Sequence, residues 1–115
     1  MDFLTKLFGS PVPSISAKEA NEKLNEKAKP FLLDVRQPEE FRSARVNGAK
    51  LIPLGELNER MKELPKNREI LVICASGSRS SSATRQLVAA GYNATNINGG
   101  VGGWMRAGLP TKRGA

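Results

Sequence analysis

The chain has 115 residues, of which 39% are hydrophobic and 25% charged, with a single cysteine and no histidine. This length and composition fit one globular domain and exclude a disordered, fibrous or two-domain protein. One cysteine cannot form an intrachain disulfide, and without histidine it lacks the usual soft metal ligands. We therefore expect a cytoplasmic protein that uses neither a metal nor another cofactor.

The net charge of +7 arises from 18 Lys and Arg residues against 11 Asp and Glu residues. The basic residues are spread among acidic ones, with no dense run and little aromatic interleaving. We therefore expect a solvated surface, no nucleic-acid partner and a monomer. Residues 1–13 form a leader in which Asp2, Thr5 and Lys6 interrupt the apolar residues, unlike a signal peptide. No later stretch could span a membrane, and we place the domain at residues 14–112.

The first half of the chain predicts two helices and two strands. Residues 16–19, Ser-Ala-Lys-Glu, form a capping-box signature, and apolar residues recur after it at helical spacing as far as Ala28. Pro30 ends this helix, and the apolar run at 31–35 predicts a buried strand. The elements expected next are a short helix at 37–42 and a strand at 49–52 that ends at Pro53.

The second half predicts a central strand between helices. Apolar residues from Leu54 to Leu64 recur on one helical face, and Pro65 ends that helix. Residues 70–73, Ile-Leu-Val-Ile, form an unbroken aliphatic run, which is typical of a parallel strand buried on both faces. The remaining predicted elements are a helix at 78–90 followed by Gly91, a strand at 94–97, and a short final helix that holds Trp104.

Strands therefore alternate with helices, which predicts a three-layer α/β domain with a parallel sheet. In such a sheet, ligands bind at the carboxyl ends of the strands. Three polar or glycine-rich clusters follow predicted strands, at residues 34–36, 74–79 and 98–100.

The middle cluster carries the candidate nucleophile. Cys74 ends the central strand, small residues including Gly77 form a turn, and Ser78 and Arg79 begin a helix. Backbone amides of a tight loop and the positive end of a helix dipole stabilise a thiolate and lower its pKa. The alternative is a buried cysteine that only fills the core, and such a residue needs neither this loop nor the arginine.

Several segments of the chain match the pattern of one family, in the family's order: Asp34-Val35-Arg36, Pro38-Glu39-Glu40-Phe41, Gly48-Ala49, Ile52-Pro53-Leu54, the loop from Cys74 to Arg79, and Gly99-Gly100 with Trp104. Together these residues resemble the rhodanese family, from about residue 14 to residue 110. The resemblance implies a five-stranded parallel sheet flanked by helices on both faces. It also implies that the Cys74 thiolate takes sulfane sulfur from thiosulfate or another donor, and that the resulting persulfide passes it to cyanide or to a thiol, including a protein thiol.

The resemblance also assigns the substrate-binding residues, whose amides would stabilise the persulfide and the incoming donor. One departure stands out, because family members often have Gly-His where this chain has Ala44 and Arg45. We expect this change to affect packing, surface charge or the preferred donor rather than the chemistry. The substrate-binding residues are Ala75, Ser76, Gly77, Ser78 and Arg79.

Two other functions are alternatives to sulfur transfer. Cysteine phosphatases and arsenate reductases of the same fold have five residues between cysteine and arginine, whereas only four separate Cys74 from Arg79. Phosphatases of that pattern also usually have histidine before the cysteine, where this chain has Ile73. The other alternative is a non-enzymatic sulfur-relay or binding module for a protein partner, and the intact Cys74 loop does not exclude a relay.

Four residues near the predicted site have structural alternatives. Asp34 and Arg36 more often fasten neighbouring loops than contact substrate. Arg79 could bind an anionic donor, or it could pair with Asp34 or Glu40. Trp104 is expected to anchor the last helix in the core.

Overall fold

The computed structural model describes residues 11–114, so most of the predicted leader lies outside the described residues. Five strands form one sheet in the order β1-β5-β4-β2-β3, and every pair is parallel. The strands are β1 Ser14–Ile15, β2 Phe31–Asp34, β3 Lys50–Leu51, β4 Ile70–Ile73 and β5 Ala94–Ile97. The helices are α1 Ala17–Leu24, α2 Pro38–Ser43, α3 Leu57–Arg60, α4 Ser78–Ala89 and α5 Gly100–Arg106.

Alternation along the central strands produces two apolar clusters, one on each face of the sheet. In β4, Val72 belongs to the cluster that includes Leu57 of α3 and Leu87 of α4. The next residue, Ile73, belongs to the opposite cluster, which includes Ala20 of α1 and Trp104 of α5. Since successive side chains of a strand point to opposite faces, this pattern places helices on both sides of the sheet. The predicted three-layer α/β fold with a five-stranded parallel sheet is confirmed.

Trp104 is 1% exposed and its indole N–H donates to the carbonyl of Pro110 at 2.8 Å. The prediction that this residue anchors the last helix in the core is therefore confirmed. A buried indole needs a hydrogen-bond acceptor, and the chain segment after α5 provides it.

Two predicted helices were inexact, and one strand was not predicted. The helix expected from Leu54 to Leu64 is divided into a 3₁₀ turn, α3 and a second 3₁₀ turn, although its apolar residues do face the core. The first helix ends at Leu24 rather than Ala28, and the Asn25 side chain donates to the Asn21 carbonyl at 2.8 Å. That bond competes with another helical turn. Strand β1 was not predicted, because two residues carry too little periodicity.

Candidate active site

Cys74 follows β4 and lies beneath a loop of three residues that leads into α4. Gly77 has a φ of +109°, a conformation that favours glycine, and it caps the helix. Its amide N–H points back to the cysteine, with 3.1 Å between the amide nitrogen and Sγ. The glycine therefore allows the chain to turn tightly enough for a backbone donor to face the sulfur.

Ser80 provides a second donor to the same sulfur. Its hydroxyl oxygen lies 3.2 Å from Cys74 Sγ and 2.6 Å from Oδ1 of Asn96 on β5. Ser80 is completely buried, and Cys74 and Asn96 are 1% and 3% exposed. The three side chains thus form a hydrogen-bonded row that is shielded from bulk water.

These contacts determine the ionisation of the thiol. Burial by itself raises the pKa of Cys74, but hydrogen bonds from the Ser80 hydroxyl and from the amides of Ser80, Gly77 and Ser76 outweigh it. The pKa of Cys74 is therefore lower than that of an ordinary thiol. A lowered pKa increases the thiolate fraction at neutral pH, and the thiolate is the nucleophilic form.

The start of α5 supports the loop from the other side. The amide of Val101 donates to the Cys74 carbonyl at 2.8 Å, and the amide of Gly102 donates to the Ala75 carbonyl at 3.0 Å. Gly99 and Gly100 both have positive φ, which lets the backbone of α5 approach this closely. The glycine pair noted in the sequence therefore positions the segment from Cys74 to Arg79, which we call the nucleophile loop after its candidate nucleophile.

Arg79 forms an ion pair with Glu40 of α2. Its two terminal guanidinium nitrogens donate to the two carboxylate oxygens at 2.8 and 2.9 Å. These bonds, opposed by partial burial, lower the pKa of Glu40 to about 2, so the pair is ionised at neutral pH. Of the roles considered for Arg79, the structure shows pairing with Glu40, and contact with a donor stays a prediction.

Asp34 and Arg36 form a buried ion pair at the end of β2. The guanidinium donates to both carboxylate oxygens of Asp34, with a shortest distance of 2.8 Å, and also to the carbonyls of Glu40 and Ala44. Asp34 is completely buried and Arg36 is 4% exposed. The pair fastens the chain around α2 to the sheet, as the structural interpretation predicted.

A groove of about 300 Å³ opens beside the loop, and we call it the mouth groove. Arg36 and Glu40 form one side of it, and Ala75, Val101 and Met105 form the apolar side. Met105 is 49% exposed, which is unusual for a large apolar side chain in this fold. The mouth groove therefore offers apolar surface next to the nucleophile loop.

The loop predicted from the sequence does surround Cys74, but its members contribute unequally. Ser76 and Gly77 act through their amides, Ala75 forms part of the mouth groove, and Ser78 is exposed at the first turn of α4. Ser80 and Asn96 are site residues that were not predicted from the sequence. Asn96 did leave a signal, because a polar amide inside a fully buried strand normally has a specific hydrogen-bond partner.

Two further features concern the described part of the chain. No helix between residues 11 and 114 has the length and apolarity needed to cross a membrane. In the same range, no three His, Cys, Asp or Glu side chains come together as metal ligands would.

Comparison with known protein sequences identifies the family. The family model of the rhodanese-like domain matches residues 16–107. A sulfurtransferase from Allochromatium vinosum is 33% identical over 100 residues, which cover 86% of this chain and 94% of that protein. Thiosulfate sulfurtransferase 16, chloroplastic, from Arabidopsis thaliana is 37% identical over 95 residues, which cover 70% of this chain and 78% of that protein.

Solved structures lead to the same result. A rhodanese-related protein from Thermoplasma volcanium has a TM-score of 0.82 and 35% identity, with 87% of this chain and 97% of that one covered. Thiosulfate sulfurtransferase from Pseudomonas aeruginosa has a TM-score of 0.83 and 30% identity, with 90% of this chain but 21% of that one covered. Fold, nucleophile loop and relatives agree: the chain belongs to the rhodanese-like family and is a sulfur-transfer protein.

Proposed function

We propose that this protein is a sulfurtransferase that carries sulfane sulfur as a persulfide on Cys74. The observation that carries the proposal is the pair of donors aimed at one buried sulfur, the Gly77 amide at 3.1 Å and the Ser80 hydroxyl at 3.2 Å. A backbone amide fixed in a buried site, such as that of Gly77, stabilises negative charge without having to reorganise during the reaction. The loop is therefore suited to a sulfur that alternates between a thiolate and a persulfide.

The reaction has two displacement steps. The Cys74 thiolate attacks the outer sulfur of thiosulfate, a bond forms between Sγ and that sulfur, and the sulfur–sulfur bond of thiosulfate breaks as sulfite leaves with the electron pair. A thiolate or cyanide then attacks the outer sulfur of the persulfide, and the electron pair returns to Sγ. Each step moves one sulfur atom between nucleophiles, so no external oxidant or reductant is consumed.

The enclosure of Cys74 favours transfer of a single atom. The residue is 1% exposed and only four residues separate it from Arg79, so the loop leaves little room around Sγ for a tetrahedral group. Arg79, the one cation of the loop, is engaged with Glu40 instead of being directed at a tetrahedral anion. Both observations support sulfur transfer over phosphate-ester chemistry.

Intact mass measurement after incubation with thiosulfate tests the proposal. The unmodified chain should gain one sulfur atom, about 32 mass units, and cyanide should remove it as thiocyanate. Because Cys74 is the one cysteine of the sequence, Cys74→Ala should gain nothing under the same conditions. Sulfur loading on the alanine variant, or a loaded sulfur that neither cyanide nor a thiol removes, would contradict the proposal.

A sulfur relay that receives its sulfur from another protein is the second candidate. The apolar side of the mouth groove favours it, because a small anion such as thiosulfate gains nothing from an exposed methionine. The same mass measurement separates the two functions. A relay would load sulfur from a persulfidated donor protein and fail to load it from thiosulfate.

A further inference from the structure

The fold concentrates cations that are dispersed along the sequence. The chain after α2 runs antiparallel to the chain near the C-terminus, and Arg45 and Lys112 exchange two backbone hydrogen bonds of 2.8 Å. The amide of Gly114 donates to the Arg42 carbonyl at 2.8 Å, which extends the pairing. We call the four cationic residues of these paired segments the basic strip: Arg42, Arg45, Lys112 and Arg113.

Arg45 holds the second segment in place. Its guanidinium donates to the Gly114 carbonyl at 2.6 Å and to the Phe41 carbonyl at 3.3 Å, and it lies 4.7 Å from the centre of the Phe41 ring. Arg45 is one of the two residues that depart from the Gly-His common in the family. In this chain, the departure supplies the side chain that fastens Lys112 and Arg113 beside α2.

The basic strip borders the mouth groove, because Ser43 and Ala44 lie between two of its arginines and also line the groove. Residues 41–47 and 105–114 together contain five Lys or Arg residues and no Asp or Glu. The nearest acids along the chain are Glu39 and Glu40 in the first turn of α2, and Glu40 is paired with Arg79. A positive field therefore extends along one side of the entrance to the nucleophile loop.

Resting on the proposed sulfur transfer, we propose that the mouth groove and the basic strip together dock an acidic protein that receives the sulfur of Cys74. Charge complementarity determines the sign of the partner, and the exposed Met105 with Val101 suits an apolar residue beside the acceptor cysteine. The strip joins cations from two chain segments, which is more positive charge than a small anionic donor needs.

Nucleic acid fits this surface less well than a protein does. Base stacking needs an open aromatic face, and the Phe41 ring beside the strip is already covered by the Arg45 guanidinium. The groove is lined by charged and polar side chains together with aliphatic and methionine side chains.

The transfer to the partner is a single displacement. The acceptor thiolate attacks the outer sulfur of the persulfide, the bond to Sγ breaks, and the partner leaves as the new persulfide.

The docking surface is tested by measuring how fast matched acceptors remove the sulfur from Cys74 of the loaded protein. One acceptor is a short peptide with a single cysteine next to leucine and a run of glutamates, the second has glutamines in their place, and the third is 2-mercaptoethanol. The glutamate peptide should react about tenfold faster than the glutamine peptide at low salt. Most of this preference should disappear in about 1 M salt, where the Debye length is only about 3 Å.

Charge-reversal variants test whether the preference for the glutamate peptide depends on the basic strip. Arg42→Glu combined with Arg113→Glu should abolish the preference for the glutamate peptide. Lys27→Glu combined with Lys62→Glu changes the net charge equally, but it alters exposed residues that precede β2 and β4, at the opposite end of those strands from the site. This control variant should keep most of the preference.

The reaction with 2-mercaptoethanol distinguishes failure of the docking surface from failure of sulfur transfer itself. If no acceptor discharges the loaded sulfur, sulfur transfer itself fails. If 2-mercaptoethanol works but the glutamate peptide has no advantage, or the control variant loses it equally, the docking surface is wrong. Inhibition of peptide transfer by oligo(dT) at equal concentration would indicate a nucleic-acid site and would overturn the proposal as well.

The Ser80 hydroxyl lies between two groups that can each accept its proton, and these contacts carry a second inference. A hydroxyl has one proton to donate, yet both Cys74 Sγ and Asn96 Oδ1 lie within hydrogen-bond distance of it. When Cys74 is a thiol, its S–H can donate to Ser80 while Ser80 donates to Asn96. When Cys74 is a thiolate, Ser80 must donate to the sulfur, and then Asn96 Oδ1 faces an oxygen lone pair at 2.6 Å.

The geometry assigns Asn96 as a positioning residue whose amide orientation follows the charge on Cys74. Rotation of the amide by a half turn brings Nδ2 to Ser80, so that Nδ2–H donates to the hydroxyl oxygen and the hydroxyl donates to the thiolate. Only the thiol proton leaves for solvent, and Ser80 and Asn96 keep their own protons. The asparagine thereby allows one serine to accept from the thiol and to donate to the thiolate.

The rate of alkylation by iodoacetamide rises with pH as the thiol ionises, and the midpoint of this curve reports the pKa of Cys74. The signal is unambiguous because the chain has one cysteine. Asn96→Asp can only accept from Ser80 and adds negative charge, so the midpoint should rise by about one pH unit or more. Ser80→Ala should raise it as well. Asn96→Leu releases the serine proton to the sulfur, so its midpoint should fall.

A purely structural role for Asn96 would give a different pattern. In that case Asp and Leu would both raise the midpoint, and Asn96→Leu would have the same effect whether or not Ser80 is present. We expect Asn96→Leu to have no effect in the Ser80→Ala background. All variants retain the charged groups on the segments around Cys74. These are Arg79 on α4, Asp34 on β2, Arg36 just after β2, Glu40 on α2, and Arg106 on α5, whose guanidinium lies beside Gly102.

Discussion

Gly100→Ala should both destabilise the protein and prevent sulfur loading on Cys74. A Cβ at residue 100 would lie 2.6 Å from the carbonyl oxygen of Ala75 and closer still to that of Cys74, and both are backbone atoms that cannot move aside cheaply. The residue also has a φ of +61°. Overpacking and the unfavourable backbone conformation together should lower the free energy of unfolding by roughly 2 to 5 kcal/mol.

Chemical denaturation followed by Trp104 fluorescence measures this loss, and intact mass after thiosulfate treatment measures loading. Gly55→Ala is the matched control, because a Cβ there meets no atom within 4 Å and the backbone has an ordinary φ. The control should unfold near the wild-type midpoint and load sulfur normally. If Gly100→Ala behaved like Gly55→Ala, the close approach of α5 to the nucleophile loop would not matter to either property.

Local signals explain why much of the fold could be predicted. The unbroken run in β4 and its neighbours requires burial on both faces, and alternation then sends Val72 and Ile73 to opposite clusters. The nucleophile loop was predictable for a similar reason, since Cys74, Gly77 and Arg79 lie within six consecutive residues. Contacts inside such a short segment depend little on the rest of the chain.

Contacts between distant segments could not be predicted from the sequence. Four serines occur between Ser78 and Ser82, and only the sheet register that places Asn96 beside α4 shows that Ser80 is the one facing the sulfur. The basic strip was missed in the same way. Its two halves look like ordinary scattered charges until the chain pairs Arg45 with Lys112.

Arg36→Met should cause the largest loss of stability among substitutions of charged residues. Asp34 is completely buried and accepts from the guanidinium through both carboxylate oxygens, so methionine would leave a carboxylate without its counter-ion. The carbonyl of Ala44 would also lose a donor at 2.7 Å. Removing one member of a buried pair costs about 3 to 5 kcal/mol, which urea denaturation at neutral pH would measure.

Two further variants establish the cause. Arg60→Met makes the same substitution in exposed ion pairs with Glu56 and Glu63, where water replaces the lost contacts, so its unfolding curve should shift far less. Arg36→Lys keeps the charge but cannot reproduce the planar contact with both oxygens, so it should recover only part of the stability. Full recovery by lysine would mean that charge alone matters at this position. Equal losses for Arg36→Met and Arg60→Met would mean that burial of the pair contributes nothing.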